Sequence, residues 1–167
     1  MKTLYLCRHA KSDRSVPTLD DFDRPLNTRG ERNAPFMARV FKERGEPVDL
    51  LVSSPANRAI TTARAFAQAM DIAEKDILQD RSIYLADHRV LLHVVNVLPP
   101  TADRVMLFGH NPGFTELVEY LSSEDIGNLP TCGIVRIDFP VKEWAAVTRD
   151  LGTLVWFDHP KRHQGQS

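Results

Sequence analysis

Apolar residues recur along this chain in short strand-like runs and helix-spaced stripes that alternate, each closed by a turn signal. Leu4, Tyr5, Leu6 and Cys7 form an unbroken apolar run that predicts a strand over 3–7 and stops abruptly at Arg8-His9. Residues 10–27 are polar, carry Pro17 and Pro25 and show no period, which predicts a long loop beside that strand end. Thr28 with Glu31 three residues on has the capping-box pattern, so a helix is expected from there to 44, stopped by Gly45. Pro35 inside it predicts a kink or a late start. Residues 48–53 read as a second strand. Ser54 is placed to cap the next helix with Pro55 at its first position, and Ala59, Ile60, Ala63, Phe66, Ala67 and Met70 follow at helical spacing. Asp87 is expected to cap a third helix through 98, ended by Pro99-Pro100. A strand follows over 104–108, then a fourth helix opened by Asn111-Pro112 and running to 121. Two late strands lie over 133–139 and 152–157.

Strands alternating with helices imply an α/β fold: a three-layer α/β/α sandwich with a mostly parallel central sheet. The last two strands have little between them and are expected to pair as an antiparallel edge. The expected organisation is one domain over 1–159 and a polar, disordered tail over 160–167. With 167 residues, 43% of them hydrophobic, the chain is long enough for one core. Its net charge of −1 gives no overall basic field for nucleic acid or an anionic membrane. No apolar run approaches the roughly 20 residues that span a bilayer, and the first residues lack a signal-peptide pattern. Cys7 and Cys132 have neither zinc nor redox spacing, so a reduced, cytoplasmic protein is expected.

Three predicted strands end in groups suited to phosphate: Arg8-His9, the segment leading to Arg58, and His110. In a parallel sheet those ends share one edge, where open α/β sheets place their chemistry. Arg58 would sit one turn into its helix, near the positive end. Two arginines and two histidines suit a phosphoryl group: the guanidinium forks hold oxygens and a neutral imidazole attacks phosphorus. Other residues read more plainly. Cys7 is followed by six residues before Arg14, one too many for a Cys-x5-Arg phosphatase loop, and lies inside an apolar strand. His88 and His93 are five apart, on different helix faces, and make no metal pair. Asp20 to Asp23 reads as an exposed acidic loop, Trp144 and Trp156 as edge-strand packing, and His159 and His163 as solvated tail residues. No Gly-rich loop ends in Lys-Ser/Thr, so no nucleotide cofactor is expected.

The segments Arg8-His9-Ala10, Ser53-Ser54-Pro55-Ala56-Asn57-Arg58-Ala59 and Gly109-His110-Asn111-Pro112 occur in the order of the motifs of the histidine phosphatase superfamily, the phosphoglycerate mutase-like fold, and the chain resembles that family over nearly its whole length. Its short length, its Arg-His-Ala-Lys opening and the run Asp23-Arg24-Pro25-Leu26-Asn27-Thr28-Arg29-Gly30 are similar to the SixA-type phosphohistidine phosphatases. The resemblance implies a metal-independent phosphatase without a cofactor. His9 would be the nucleophile that forms a phosphohistidine intermediate; Arg8, Arg58 and His110 would complete the pocket. Ser15 would be a further phosphate donor, with Lys11 and Ser12 nearby. Two departures stand out. Ala10 replaces the usual Gly, and the place of the usual Glu general acid falls near Tyr84, with Asp13, Asp20, Asp21, Asp23 and Asp87 as other acid candidates. A missing acid suits phosphohistidine on a protein better than an alkyl phosphomonoester, whose alkoxide needs a proton. The alternatives are a small-molecule phosphatase acting on a sugar phosphate or nucleotide, and a non-catalytic phosphate-binding module. A monomer is expected, with no nucleic-acid or membrane partner.

Overall fold

In the computed structural model, which describes residues 1–164, six strands form one sheet between two helical layers. The strands are β1 (Lys2–Arg8), β2 (Leu50–Ser53), β3 (Leu78–Gln79), β4 (Arg104–Gly109), β5 (Ile134–Phe139) and β6 (Thr153–Asp158). The helices are α1 (Thr28–Glu43), α2 (Asn57–Ala69), α3 (His88–Asn96) and α4 (Gly113–Ser122). The sheet order is β3-β2-β4-β1-β5-β6. β3, β2, β4 and β1 run parallel; β5 is antiparallel to β1 and to β6, so the last two strands form the antiparallel edge that their short connection implies.

The unbroken apolar run of β1 reflects burial on both faces. Leu4 and Leu6 point to one core, with Val105 and Leu107 of β4 and with Leu91, Val94, Leu117 and Val118 of α3 and α4. Tyr5 and Cys7 point to the other, with Met106 and Phe108 of β4 and with Met37, Phe41, Ile60 and Phe66 of α1 and α2. Side chains alternate along a strand, so one sequence supplies both layers.

Several boundaries differ from the sequence reading. Asn27, not Thr28, caps α1: its side-chain oxygen accepts the Gly30 N–H at 2.8 Å. Pro35 lies inside α1, which starts at residue 28 without a delay. α2 starts at Asn57 after Ala56, so Ser54 is free for another partner. Asp87 does cap α3, accepting the N–H groups of Arg89 and Val90. β3 has only two residues, both exposed, and left no apolar pattern to read. Trp156 packs at the sheet edge on Tyr5 and Phe41. Trp144 instead sits in a 3-10 turn between β5 and β6, fully buried, with its indole N–H on the Ala102 carbonyl at 2.6 Å. The acidic segment forms a 3-10 turn, Asp21–Asp23, and Pro160–His163, expected to fray, forms another. His163 there reaches the Asp158 carboxylate at 2.9 Å and is not a free tail residue. The rest of the expected tail, 165–167, lies outside the described residues. Among the described residues no helix is long and apolar enough to cross a membrane.

Candidate active site

Strand register brings the three motifs to one place. Arg8 lies opposite Gly109 between β1 and β4, and Ser53 lies opposite Phe108 between β2 and β4. The ladder continues one residue further: the His9 N–H donates to the Gly109 carbonyl at 3.0 Å, and the Ser54 N–H to the Phe108 carbonyl at 2.9 Å. His9, Ser54 and His110 therefore leave three adjacent strands side by side. Gly109 is needed there, because an added Cβ would stand 2.6 Å from the Phe114 ring.

His9 is 7% exposed, and its Nδ1 lies 2.7 Å from the Ala10 carbonyl oxygen. A carbonyl only accepts, so Nδ1 carries the hydrogen and the Nε2 lone pair is left for attack. Burial pushes the imidazole down to about 3; the Ala10 carbonyl opposes this, and His110, Arg58 and Arg8 add to it. The ring is neutral at pH 7. Ala10 is tolerated in place of glycine because it is not among the residues with positive φ. Its N–H donates to Thr62 Oγ1 at 3.0 Å, and that hydroxyl donates to the Arg58 carbonyl at 2.8 Å, tying the residue after the nucleophile to the helix that carries Arg58.

His110 faces His9 with ring centroids 5.3 Å apart. Its Nε2 lies 2.8 Å from Ser54 Oγ, which also accepts the Ala56 N–H at 3.2 Å. Among the described residues Nε2 is the one acceptor within reach of the Ser54 hydroxyl hydrogen, so the hydroxyl donates to Nε2 and the His110 proton sits on Nδ1. That Nδ1 is buried without a partner among the described residues, as are Arg8 Nε and Arg58 Nε. Burial, followed by Arg58, holds His110 down to about 3. Arg8 ends β1 with Nη1 on the Leu129 carbonyl at 3.1 Å. Arg58, 2% exposed in the first turn of α2, donates from Nη1 to the Asp21 carbonyl and from Nη2 to Asp21 Oδ2, at 2.6 and 3.0 Å. Buried cationic and N–H donors without partners, beside a neutral imidazole, make a receptor for a tetrahedral oxyanion.

The family model of the histidine phosphatase superfamily (branch 1) matches residues 4–87. The chain belongs to the histidine phosphatase superfamily. It is a phosphatase of the histidine type. An uncharacterized chloroplastic protein of Arabidopsis thaliana is 30% identical over 151 residues, spanning 86% of this chain and 69% of that one. The crystal structure of the "putative phosphohistidine phosphatase SixA" from Agrobacterium tumefaciens superposes with a TM-score of 0.80 at 30% identity, covering 95% of this chain and 98% of that one. A structure of the protein histidine phosphatase SixA complexed with tungstate has a TM-score of 0.83 at 19% identity, covering 97% and 99%, which extends the likeness of fold.

Against this family background, some anticipated site residues change place. Ser15 is exposed, its N–H on the Asp13 carboxylate at 2.7 Å, with no hydrogen bond to the pocket residues. Ser12 is the buried serine nearby, its Oγ accepting from Arg24 at 2.6 Å. Arg24 was not singled out as a site residue; it also donates through Nε and Nη2 to Asp21 Oδ1. Asp21 thus joins Arg24, Arg58 and the Tyr84 hydroxyl, which donates to its Oδ2 at 2.5 Å. Burial alone would raise the Asp21 carboxyl, but the hydrogen bonds from Tyr84, Arg24 and Arg58 hold it well below the usual carboxylate range. Burial and the Asp21 carboxylate push the Tyr84 phenol up. Asp21 is ionised at neutral pH, and Tyr84 keeps its proton but is a weaker acid than usual, so both are poorly matched to the acid role. Asp87 is committed to its helix cap and Asp13 to the Ser15 N–H. Cys7 is buried, with its thiol pushed up by burial and by Cys132, which leaves it inert.

Proposed function

We propose that this phosphatase removes the phosphoryl group from phosphohistidine on a protein, through a covalent intermediate on His9 Nε2. The observation that carries the reading is the protonation pattern of the pocket. The nucleophile is neutral and oriented by the Ala10 carbonyl. On the Tyr84 side the Asp21 carboxyl is held ionised and the Tyr84 phenol is made a weaker acid than usual, so neither is well matched to protonating an alkoxide at neutral pH. An alkoxide leaving group needs such a proton; an imidazole protonated at its far ring nitrogen does not. The likeness to the SixA protein of Agrobacterium tumefaciens, at 30% identity, supports the same substrate.

In the first step His9 Nε2 attacks phosphorus in line and the substrate P–N bond breaks, its electron pair going to the leaving nitrogen. Arg8, Arg58 and the His110 Nδ1–H take up charge on the equatorial oxygens. The His9 proton remains on Nδ1, held by Ala10. Water then attacks the phospho-His9, the second P–N bond breaks, and inorganic phosphate leaves. The roles of His9, His110, Arg8 and Arg58 are part of this proposal.

The test is an acid-quench assay with a phosphohistidine-labelled protein and p-nitrophenyl phosphate in parallel, comparing wild type with His9→Ala. Loss of label by the wild type, abolished in the variant, is expected. Turnover of the aryl phosphate alone would move the substrate to small phosphomonoesters. Full activity in His9→Ala would refute the nucleophile.

A further inference from the structure

The turn Asp21–Asp23 is bonded to Asn57 and Arg58 of α2 and to Tyr84, and carries a network the phosphate chemistry does not need. Asp21 is bound on both carboxylate oxygens: Oδ1 by the Arg24 Nε and Nη2, Oδ2 by Arg58 Nη2 and the Tyr84 hydroxyl. The Tyr84 ring stands edge-on to His110 at 5.4 Å between centroids, and Phe22 stands edge-on to Tyr84 at 5.1 Å. Asn57 at the start of α2 donates to the Asp23 carbonyl at 3.1 Å, pinning the turn over that helix. Asp21 is therefore one residue removed from both phosphate-binding walls. Its side chain is still 44% exposed, so the carboxylate faces the opening.

We propose that Asp21 is a specificity-determining residue whose carboxylate meets the leaving group and selects a cationic N–H donor, an imidazole protonated at its distal nitrogen. The proposal rests on the phosphohistidine reading and deepens it. On this wall Arg24 Nε and Nη2, Arg58 Nη2 and the Tyr84 hydroxyl all donate to the Asp21 carboxylate. Tyr84 is the one uncharged donor among these, so it is the one that a charged N–H can displace from Oδ2, which makes the carboxylate the acceptor that a departing ring meets. A phosphohistidine ring can take its own proton from water near neutral pH, since imidazole titrates near about 6.5, and a carboxylate partner favours that form. With the distal nitrogen protonated, cleavage of the P–N bond releases neutral imidazole and needs no proton from the protein. The Asp21 carboxylate stabilises that protonated ring by charge and by hydrogen bond, the Tyr84 hydroxyl being the donor that can yield its place. A leaving group without an N–H donor has nothing to put in place of the Tyr84 hydroxyl on Oδ2.

The test compares wild type with Asp21→Asn on a phosphohistidine-labelled protein and on p-nitrophenyl phosphate, whose phenolate leaves without a proton. Asparagine keeps the size and the carbonyl acceptor but removes the charge, and aryl phosphate turnover reports that the pocket is intact. The expected result is a loss of kcat/KM on phosphohistidine about tenfold or more beyond any loss on the aryl phosphate. An unchanged ratio between the two substrates overturns the role, and so does equal loss of both, which would make Asp21 a support for Arg58. If wild type turns over the aryl phosphate and not phosphohistidine, the substrate reading fails and takes this role with it. Wild-type activity on phosphohistidine with an unchanged ratio removes the Asp21 role alone.

Discussion

Replacing Ser54 by alanine probes the pocket through a residue outside the proposed chemistry. The Ser54 side chain is fully buried and makes two hydrogen bonds, to His110 Nε2 at 2.8 Å and from the Ala56 N–H at 3.2 Å. Removing it leaves both groups buried without a partner. An unsatisfied buried group costs about 1–3 kcal/mol, and the longer bond to Ala56 contributes least, so the total is roughly 2 kcal/mol. For a domain of this size that lowers the melting temperature by about 4–8 °C. The catalytic effect is separate. Without the Ser54 hydroxyl, the His110 proton is no longer directed to Nδ1, where it meets the phosphoryl oxygens. A net hydrogen-bond contribution of about 1–1.5 kcal/mol translates into a five- to tenfold loss of kcat/KM. Steady-state turnover of p-nitrophenyl phosphate at pH 7 reads the rate. The 15N chemical shifts of the His110 ring read the tautomer directly. A variant with kcat/KM within about twofold of wild type and an unchanged ring spectrum would refute the assignment of the proton to Nδ1.

Two further outcomes follow from burial and close packing. His9 and His110 stay neutral down to about 3 in the folded protein, whereas the unfolded chain titrates near about 6.5. Their contribution is complete above pH of about 6.5 and is lost as pH falls toward about 3, because the unfolded state binds the protons first. The melting temperature should therefore drop between pH 7 and pH 5, and a His9→Gln, His110→Gln double variant should flatten that drop; an equally steep drop in the variant would count against it. Gly30→Ala places a Cβ 2.1 Å from the Lys11 carbonyl oxygen, backbone that cannot swing aside. It should lose about 1–3 kcal/mol of stability and raise KM by moving the segment that carries Ser12; a wild-type melting curve would contradict the close contact.

The main strands and helices were legible because the sheet is buried on both faces and the helices on one. Burial on both faces turns β1 and β4 into continuous apolar runs, and burial on one face leaves a helical stripe such as Ala59 to Ala67. β3 was not legible, since two exposed residues bury nothing and pair only because β2 lies beside them. Arg8, His9, Arg58 and His110 stood out because they follow apolar runs or sit in motifs. Ser54 and Arg24 lie in the runs that resemble the family, but neither was assigned to the site. Ser54 looked like a helix cap, a local role, and the structure gives it a partner 56 residues away. Ser15 was placed by its sequence neighbourhood, and loop geometry put Ser12 inside instead. Asp21 was one of several equivalent acidic residues, with nothing local to set it apart.

What the amino-acid sequence alone determined is the order of elements, the α/β layering and the chemistry at the strand ends, since these depend on periodicity and residue type over short spans. Only the tertiary structure decided which serine touches His110, which aspartate holds Arg58, and which protons are committed. Those depend on contacts across 37 to 63 residues of chain, from Asp21 to Arg58 and to Tyr84. Hydrogen bonds are short and directional, so register and loop path select one partner among chemically identical candidates, and local sequence carries no record of that choice.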